Sequence, residues 1–120
     1  MRQSNYVIGG EQKQIRKLSG PLFQNINIKI SKDTKAIADF LKLNNNTIPT
    51  GTIVNKEGIP VNDNTAFGIV YNDLDFTNSR GTEILSVCIF GFLDLEKIIQ
   101  YSKVTPTEEA KVSMNMIKFL

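Results

Sequence analysis

An alternation of polar and apolar side chains within residues 24–30 constrains the fold more than any other feature of this sequence. Ile26, Ile28 and Ile30 are separated by Asn27 and Lys29. Successive side chains of a β-strand point to opposite faces of its sheet, so this pattern predicts a strand with one buried and one solvent-exposed face. The chain is therefore expected to build a sheet and to cover its apolar side.

Turn-forming residues divide the middle of the chain into further short strands. Apolar stretches at residues 51–54, 59–61 and 66–71 are separated by segments that contain Asn, Gly and Asp, residue types that favour turns. After a long polar connection at residues 72–81, residues 83–92 are apolar at positions that would face both sides of a sheet. That composition is typical of a central, fully covered strand.

Short helices are predicted at three places around these strands. Asp33 can cap a helix with one apolar stripe, and Asp94 can cap a second helix. Thr105 and Pro106 have the residue types of an N-cap and a first helical position, and Glu108 can complete a capping box. The fold class predicted from these elements is mainly β (α+β), with short flanking helices.

Basic charge is concentrated at the start of the chain. Residues 1–35 hold seven Lys or Arg and two acidic side chains, a net charge of +5, whereas residues 36–120 carry a net charge of −3. Residues 1–20 have few apolar side chains and are interrupted by glycine, so they are predicted to form an N-terminal arm on a single domain at residues 21–120. A basic arm suits an acidic partner surface, and a solvated tail is the alternative.

Residue types on which many enzymes depend are absent. The sequence has no histidine and one cysteine, Cys88. A Ser-His-Asp or Cys-His nucleophile and a Cys/His zinc site cannot be assembled from this composition. Cys88 lies in an apolar stretch and is predicted to be a small core residue. We therefore expect a non-enzymatic protein with no catalytic residues, no metal and no cofactor.

Membrane and nucleic-acid partners are not expected. No apolar run approaches the roughly 18 residues that a membrane span requires, and the first residues lack the apolar segment of a signal peptide. The basic residues of the first 35 positions are interleaved only with Tyr6 and Phe23, a poor platform for base stacking. These observations predict assembly in the cytoplasm of the cell that makes the protein.

Three aspartates are the remaining candidates for chemistry. Asp63, Asp73 and Asp75 lie in predicted loops, where paired carboxylates could act in hydrolysis or bind a cation. Aspartate is also a common turn residue, because its side chain accepts hydrogen bonds from the backbone of the turn. The turn interpretation is favoured, and a small Asp-dependent hydrolase is kept as an alternative.

Three segments occur in an order and spacing that point to a known family. They are IPTGTIV at residues 48–54 with a turn at 55–58, AFGIVYNDLD at residues 66–75, and a strand at 84–90 that ends in GFLD at 91–94. Together they resemble the lambda-type head decoration proteins of tailed bacteriophages and the capsid-proximal domains of phage head fibre proteins. Thr50 departs from this pattern, since a small alanine is expected there.

The resemblance implies a small β-clip-like barrel or sandwich that binds the outside of a capsid as a homotrimer. It implies that the partners are the major capsid protein, other copies of the chain and a fibre protein, and that the protein is located on the virion. The residues expected at the trimer interface are Thr50, Gly51, Thr52, Asp73 and Asp75. A virion-surface module that binds carbohydrate or a receptor is the alternative of a different class.

The N-terminal arm is the predicted capsid anchor. Its basic side chains would approach an acidic shell, and a short β-prone stretch could add a strand to a sheet edge of the capsid protein. The arm packing on its own trimer is the alternative. The predicted capsid-binding residues are Arg2, Tyr6, Val7, Ile8, Lys13, Arg16 and Lys17.

Overall fold

The computed structural model describes residues 14–17 and 22–120 of the chain. Short strands and short helices follow one another along the described residues. In chain order they are β1 (Phe23–Ser31), α1 (Lys35–Leu43), β2 (Thr47–Ile48), β3 (Ile53–Val54), β4 (Gly68–Val70), β5 (Leu74–Asp75), β6 (Thr82–Leu93), α2 (Leu95–Ser102), α3 (Glu108–Ser113) and β7 (Ile117–Phe119).

Strand β6 is the centre of the main sheet. It pairs antiparallel with β1 along the nine residues of that strand, and it also pairs with β4, beyond which lies β3. β7 runs parallel to the end of β6, and β2 pairs with β5 in a separate two-stranded sheet. The mainly antiparallel sheet with short helices confirms the α+β class, whereas the described strands form an open sheet and not a closed barrel.

One extra residue in β6 changes which side chains face each side of the sheet. Gln24 pairs with Phe90 and Asn25 pairs with Cys88, so Ile89 has no partner of its own on β1. A bulge of this kind shifts the two-residue alternation by one position. Cys88 and Leu93, which a regular strand would place on opposite faces, consequently belong to the same core.

Apolar side chains on the two faces of the sheet form two cores. Ile69 and Val70 are neighbours in β4 and both are fully buried, yet they belong to different cores, as strand alternation requires. The α1 core consists of Ile30, Ile37, Leu41, Ile48, Val54, Val70, Phe76, Leu85 and Val87. The α2–α3 core consists of Ile15, Ile53, Ala66, Ile69, Cys88, Leu93, Ile98, Ala110, Met114 and Ile117.

The helices begin close to their predicted positions, with two corrections. Asp94 caps α2 as predicted, by accepting from the Lys97 amide at 3.3 Å. Asp33 is not the cap of α1, because the helix begins at Lys35 and Thr34 occupies the N-cap position. The first turn of α1 therefore lacks a side-chain cap from either residue, and its position depends on the apolar stripe that packs into the α1 core.

The third helix begins two residues later than the sequence indicates. Thr107, and not Thr105, is its N-cap, and the Thr107 hydroxyl accepts from the Ala110 amide at 3.1 Å. Asn62 explains the shift, because its side chain donates to the Thr105 carbonyl and accepts from the Thr107 amide, both at 2.9 Å. These bonds tie residues 105–107 to a distant loop and keep them outside the helix.

Ile117 has the spacing from Ala110 and Met114 that would place it on the same helical face. It is buried with them in the α2–α3 core, but α3 ends at Ser113 and Ile117 belongs to β7. Its partner on β6 is Gly91. Residues 117–119 find their main-chain partners on β6, and a longer α3 would forgo these bonds.

Candidate interaction surface

The described part of the predicted arm is attached to the end of β6. The Lys17 amide donates to the Phe92 carbonyl at 2.8 Å, and the Asp94 amide donates to the Ile15 carbonyl at 2.6 Å. Ile15 is fully buried in the α2–α3 core. Residues 14–17 therefore pack on the domain as a short extra strand, which we call the docked segment.

Side chains of the docked segment add two contacts of unequal strength. The Lys17 ammonium lies 3.9 Å from the Asp94 carboxylate, and both groups are accessible to water, so this pair contributes little. The Arg16 guanidinium lies 4.1 Å from the centre of the Phe23 ring, a distance at which cation–π attraction operates. Arg16 therefore joins the docked segment to the first residue of β1.

An aromatic pair continues this contact across the sheet. The rings of Phe23 and Tyr71 are nearly parallel, with centroids 5.8 Å apart. The Tyr71 hydroxyl lies 3.4 Å from Oε1 of Gln14, to which it donates a long hydrogen bond. Phe23 therefore has the Arg16 guanidinium and the Tyr71 ring as neighbours within its own chain.

Three of the residues predicted at a trimer interface are used inside the protomer. Thr50 is 1% exposed, and both its amide and its hydroxyl donate to Oδ1 of Asp73, at 2.7 and 2.9 Å. The Thr52 hydroxyl donates to the Pro49 carbonyl at 2.7 Å and its side chain is also buried. Within the predicted set, only Asp73 and Asp75 are exposed to solvent.

Gly51 has a structural reason to be glycine. Its φ angle is +94°, which side-chain-bearing residues rarely adopt, and a Cβ atom there would lie 2.9 Å from the Ile98 carbonyl oxygen. The turn at residues 49–52 therefore packs directly against the backbone of α2. This buried turn positions the exposed Asp73 carboxylate beside it, through the two bonds from Thr50.

The other two candidate aspartates organise turns. Asp63 accepts from the amide and hydroxyl of Thr65, and Asp75 accepts in the same way from Thr77. These bonds favour the ionised form, so the pKa of each carboxyl lies below its usual value. Within residues 14–17 and 22–120, no group of three acidic or cysteine side chains is placed to hold a metal ion.

Cys88 is fully buried in the α2–α3 core, where its thiol donates to the Phe90 carbonyl at 3.4 Å. Burial raises the pKa of this thiol, so the protonated form is favoured. A buried, protonated thiol is a poor nucleophile. The environment of Cys88 is that of a core residue.

Two of the residues predicted as the capsid anchor lie within the described part of the chain. Arg16 and Lys17, from the predicted anchor, lie in the docked segment, and Gln14 of that segment contacts Tyr71. The remaining predicted anchor residues, Arg2, Tyr6, Val7, Ile8 and Lys13, lie outside the described residues.

Sequence reasoning missed the contacts that make this surface. Phe23 and Tyr71 are far apart in the chain, and no local period connects either of them to Arg16. The only usable signal was Ile15, an isolated apolar side chain within a polar stretch. Such a residue is what a short strand needs in order to be anchored in a core.

No helix among the described residues has the length and apolar content needed to cross a membrane. Comparison of the chain with protein-family models, with curated proteins and with solved structures finds no match.

Proposed function

We propose that this chain is a non-enzymatic structural protein of a phage virion. It binds the outer surface of the capsid as a homotrimer and stabilises the shell, either as a free decoration protein or as the base of a head fibre. Its partners are the major capsid protein, two further copies of itself and, in the second case, a fibre protein. The β-clip architecture of that family is part of the same proposal.

The observation that best supports this proposal is the position of the docked segment. Gln14 is held at the surface by the Tyr71 hydroxyl, while Ile15 is buried and Lys17 is bonded to β6. The thirteen residues before Gln14 therefore start from a fixed point on the domain. A basic segment that starts from a rigid base can reach a partner without moving the domain.

The charge of that segment suits a capsid exterior that is acidic. Arg2 and Lys13 oppose the single acidic residue Glu11 before the docked segment, and Arg16 and Lys17 add two positive charges at its base. Electrostatic attraction of this kind accelerates association and weakens with added salt. Residues 6–8 are β-prone and could add main-chain bonds at a capsid sheet edge.

Binding of three linked copies to the capsid shell explains how a small protein could stabilise the shell. A protein that binds only the expanded shell shifts the equilibrium toward that form by mass action. Three linked contacts increase the effective affinity without requiring any one of them to be strong. Each protomer can therefore contribute modestly.

Cosedimentation with expanded capsids of the phage that encodes the chain tests the proposal. The full chain is expected to bind expanded shells and not unexpanded ones, and removal of residues 1–10 is expected to abolish binding without unfolding the domain. The double variant Arg2→Glu/Lys13→Glu should bind at least tenfold more weakly. The matched control Lys42→Glu/Lys97→Glu makes the same charge change at exposed helix positions and should bind like the wild type.

Two results would count against the proposal. A full chain that does not bind expanded capsids would overturn the function. Binding that is equally tight after deletion of residues 1–10 and after both charge reversals would place the anchor elsewhere on the domain.

A further inference from the structure

The docked segment is joined to β6 over a shorter length than the strands that pair with the same end of β6. Its pairing consists of one residue pair, Arg16 with Leu93, and two main-chain hydrogen bonds. By comparison, β7 pairs with β6 along its three residues and β1 along its nine. Main-chain bonds therefore hold the docked segment less firmly than they hold β1 or β7.

One side chain anchors the docked segment in the domain. Ile15 is fully buried in the α2–α3 core, whereas Gln14 and Lys17 on either side of it are exposed. Oε1 of Gln14 accepts from the Arg16 amide at 3.0 Å, a bond that lies within the segment itself. The Lys17 ammonium pairs with a carboxylate that is also accessible to water, and such a pair contributes little. Ile15 is therefore the only residue of the segment that lies in a core.

Strand β7 is attached to the same end of β6 by more contacts. Ile117 is buried in the α2–α3 core and Phe119 packs against it. The Leu120 amide adds a main-chain bond to the Leu93 carbonyl, at 2.9 Å. A segment with one buried side chain loses less apolar contact on leaving a domain than a segment with two. The docked segment is thus the easier of the two to detach.

The rest of the domain does not depend on the docked segment for its main contacts. The α1 core contains none of its residues, and the α2–α3 core has nine buried residues besides Ile15. The pairing of β6 with β1, β4 and β7 uses no residue of the segment. Both cores and the main sheet can therefore persist when the segment is absent from its site.

We infer that the docked segment is a strap, which leaves β6 and the α2–α3 core as a unit while the rest of the domain stays folded. Local opening of this kind occurs where few buried apolar contacts hold a segment. Burial of Ile15 keeps the released form a minor state of the free chain. Release leaves the Phe92 carbonyl and the Asp94 amide without their partners in the segment, and it adds four residues, up to about 14 Å of extended chain, to the arm.

Hydrogen exchange of the full chain, in urea concentrations below the unfolding transition, tests the inference. The Lys17 and Asp94 amides are expected to exchange at least tenfold faster than the Val70 amide of β4, which donates to the Thr52 carbonyl at 2.8 Å. Their exchange should depend weakly on urea, because release exposes little surface, whereas exchange at Val70 should follow unfolding of the whole domain. Equal rates with equal urea dependence would overturn the inference.

Thiol labelling gives a second readout within the same core. In Ile15→Cys the introduced thiol and the thiol of Cys88 both belong to fully buried positions of the α2–α3 core, so Cys88 is the matched internal control. A maleimide is expected to label position 15 at least tenfold faster than Cys88, as measured by mass spectrometry of the two peptides. The smaller side chain of Ile15→Cys favours release, so equal labelling rates would overturn the inference.

The labelled chain shows whether release needs unfolding of the domain, because a bulky adduct at position 15 prevents the segment from returning to its site. Circular dichroism of Ile15→Cys labelled at that position is expected to keep the signal of the unlabelled chain. Loss of that signal would show that the segment and the domain unfold together, and the inference would be wrong. None of these measurements uses a capsid, so failure of the proposed function would leave this inference standing.

Discussion

The two cores of this domain are assembled from the chain in different ways. The α1 core takes most of its side chains from β1, α1, β4 and β6, elements whose apolar patterns are regular. The α2–α3 core takes single residues from many places, among them Ile15 in the docked segment, Ile98 in α2 and Ile117 in β7. A regular element can therefore be predicted from neighbouring residues. The α2–α3 core, in contrast, forms only when distant parts of the chain come into contact.

Replacing one leucine in each core by alanine is expected to have the largest effect on stability. Leu85 and Leu93 are both fully buried on β6, one in each core. Each Leu→Ala change should lower the free energy of unfolding by about 2–5 kcal/mol, because it removes buried methyl groups and leaves a cavity. Urea denaturation followed by circular dichroism measures the loss.

The same pair shows whether the two cores unfold together. We expect a single transition for both variants, because β6 carries both cores and couples them. A Leu93→Ala variant that unfolds in two steps, with the α1 core persisting, would show that the α2–α3 core is a separate cooperative unit.

Truncation of Ile15 tests whether the docked segment belongs to the second core. Ile15→Ala should lower the free energy of unfolding by about 2–4 kcal/mol, because this side chain is fully buried among residues of α2, α3 and β6. Ile84→Ala is the matched control at a position that is 54% exposed, and it should change stability by less than about 0.5 kcal/mol. Equal stability of the two variants would mean that residues 14–17 do not pack on the domain in solution.

The smallest expected effect concerns the turn aspartates outside both cores. The pKa of Asp75 is lowered in the folded chain by the bonds from Thr77, so its contribution to stability is present at neutral pH and is lost as the pH falls through that lowered pKa. Asp75→Asn should therefore show a smaller loss of stability than the wild type when urea midpoints at pH 7 and pH 3 are compared. An unchanged acid response in Asp75→Asn would contradict the assignment.

The regular half of the molecule could be predicted from the sequence for simple physical reasons. Alternation at Ile26, Ile28 and Ile30 reports a buried strand face directly, and the stripe in α1 reports a buried helix face. Asp94 as a cap depends only on residues within one turn. Information of this kind is contained in windows of a few residues.

What the sequence could not provide depends on long-range partners. Asn62 moves the start of α3 by binding Thr105 and Thr107, more than forty positions away. The bulge at Ile89 reverses the alternation of β6 after Cys88, and no pattern in the neighbouring residues predicts it. The contacts of the docked segment also depend on long-range partners, because the sheet is what brings Arg16, Phe23 and Tyr71 together.

The central place of β6 also sets an order of events during synthesis. β1 is made before β6, and its ladder partner is complete only when residue 91 has been made. The α2–α3 core needs β7 as well, near the last residue described. Pairing across such long separations is slow and leaves strand edges open meanwhile. β1 therefore keeps an unpaired edge and an incompletely covered apolar face until β6 has been made, and during that interval a chaperone would have the greatest opportunity to bind it.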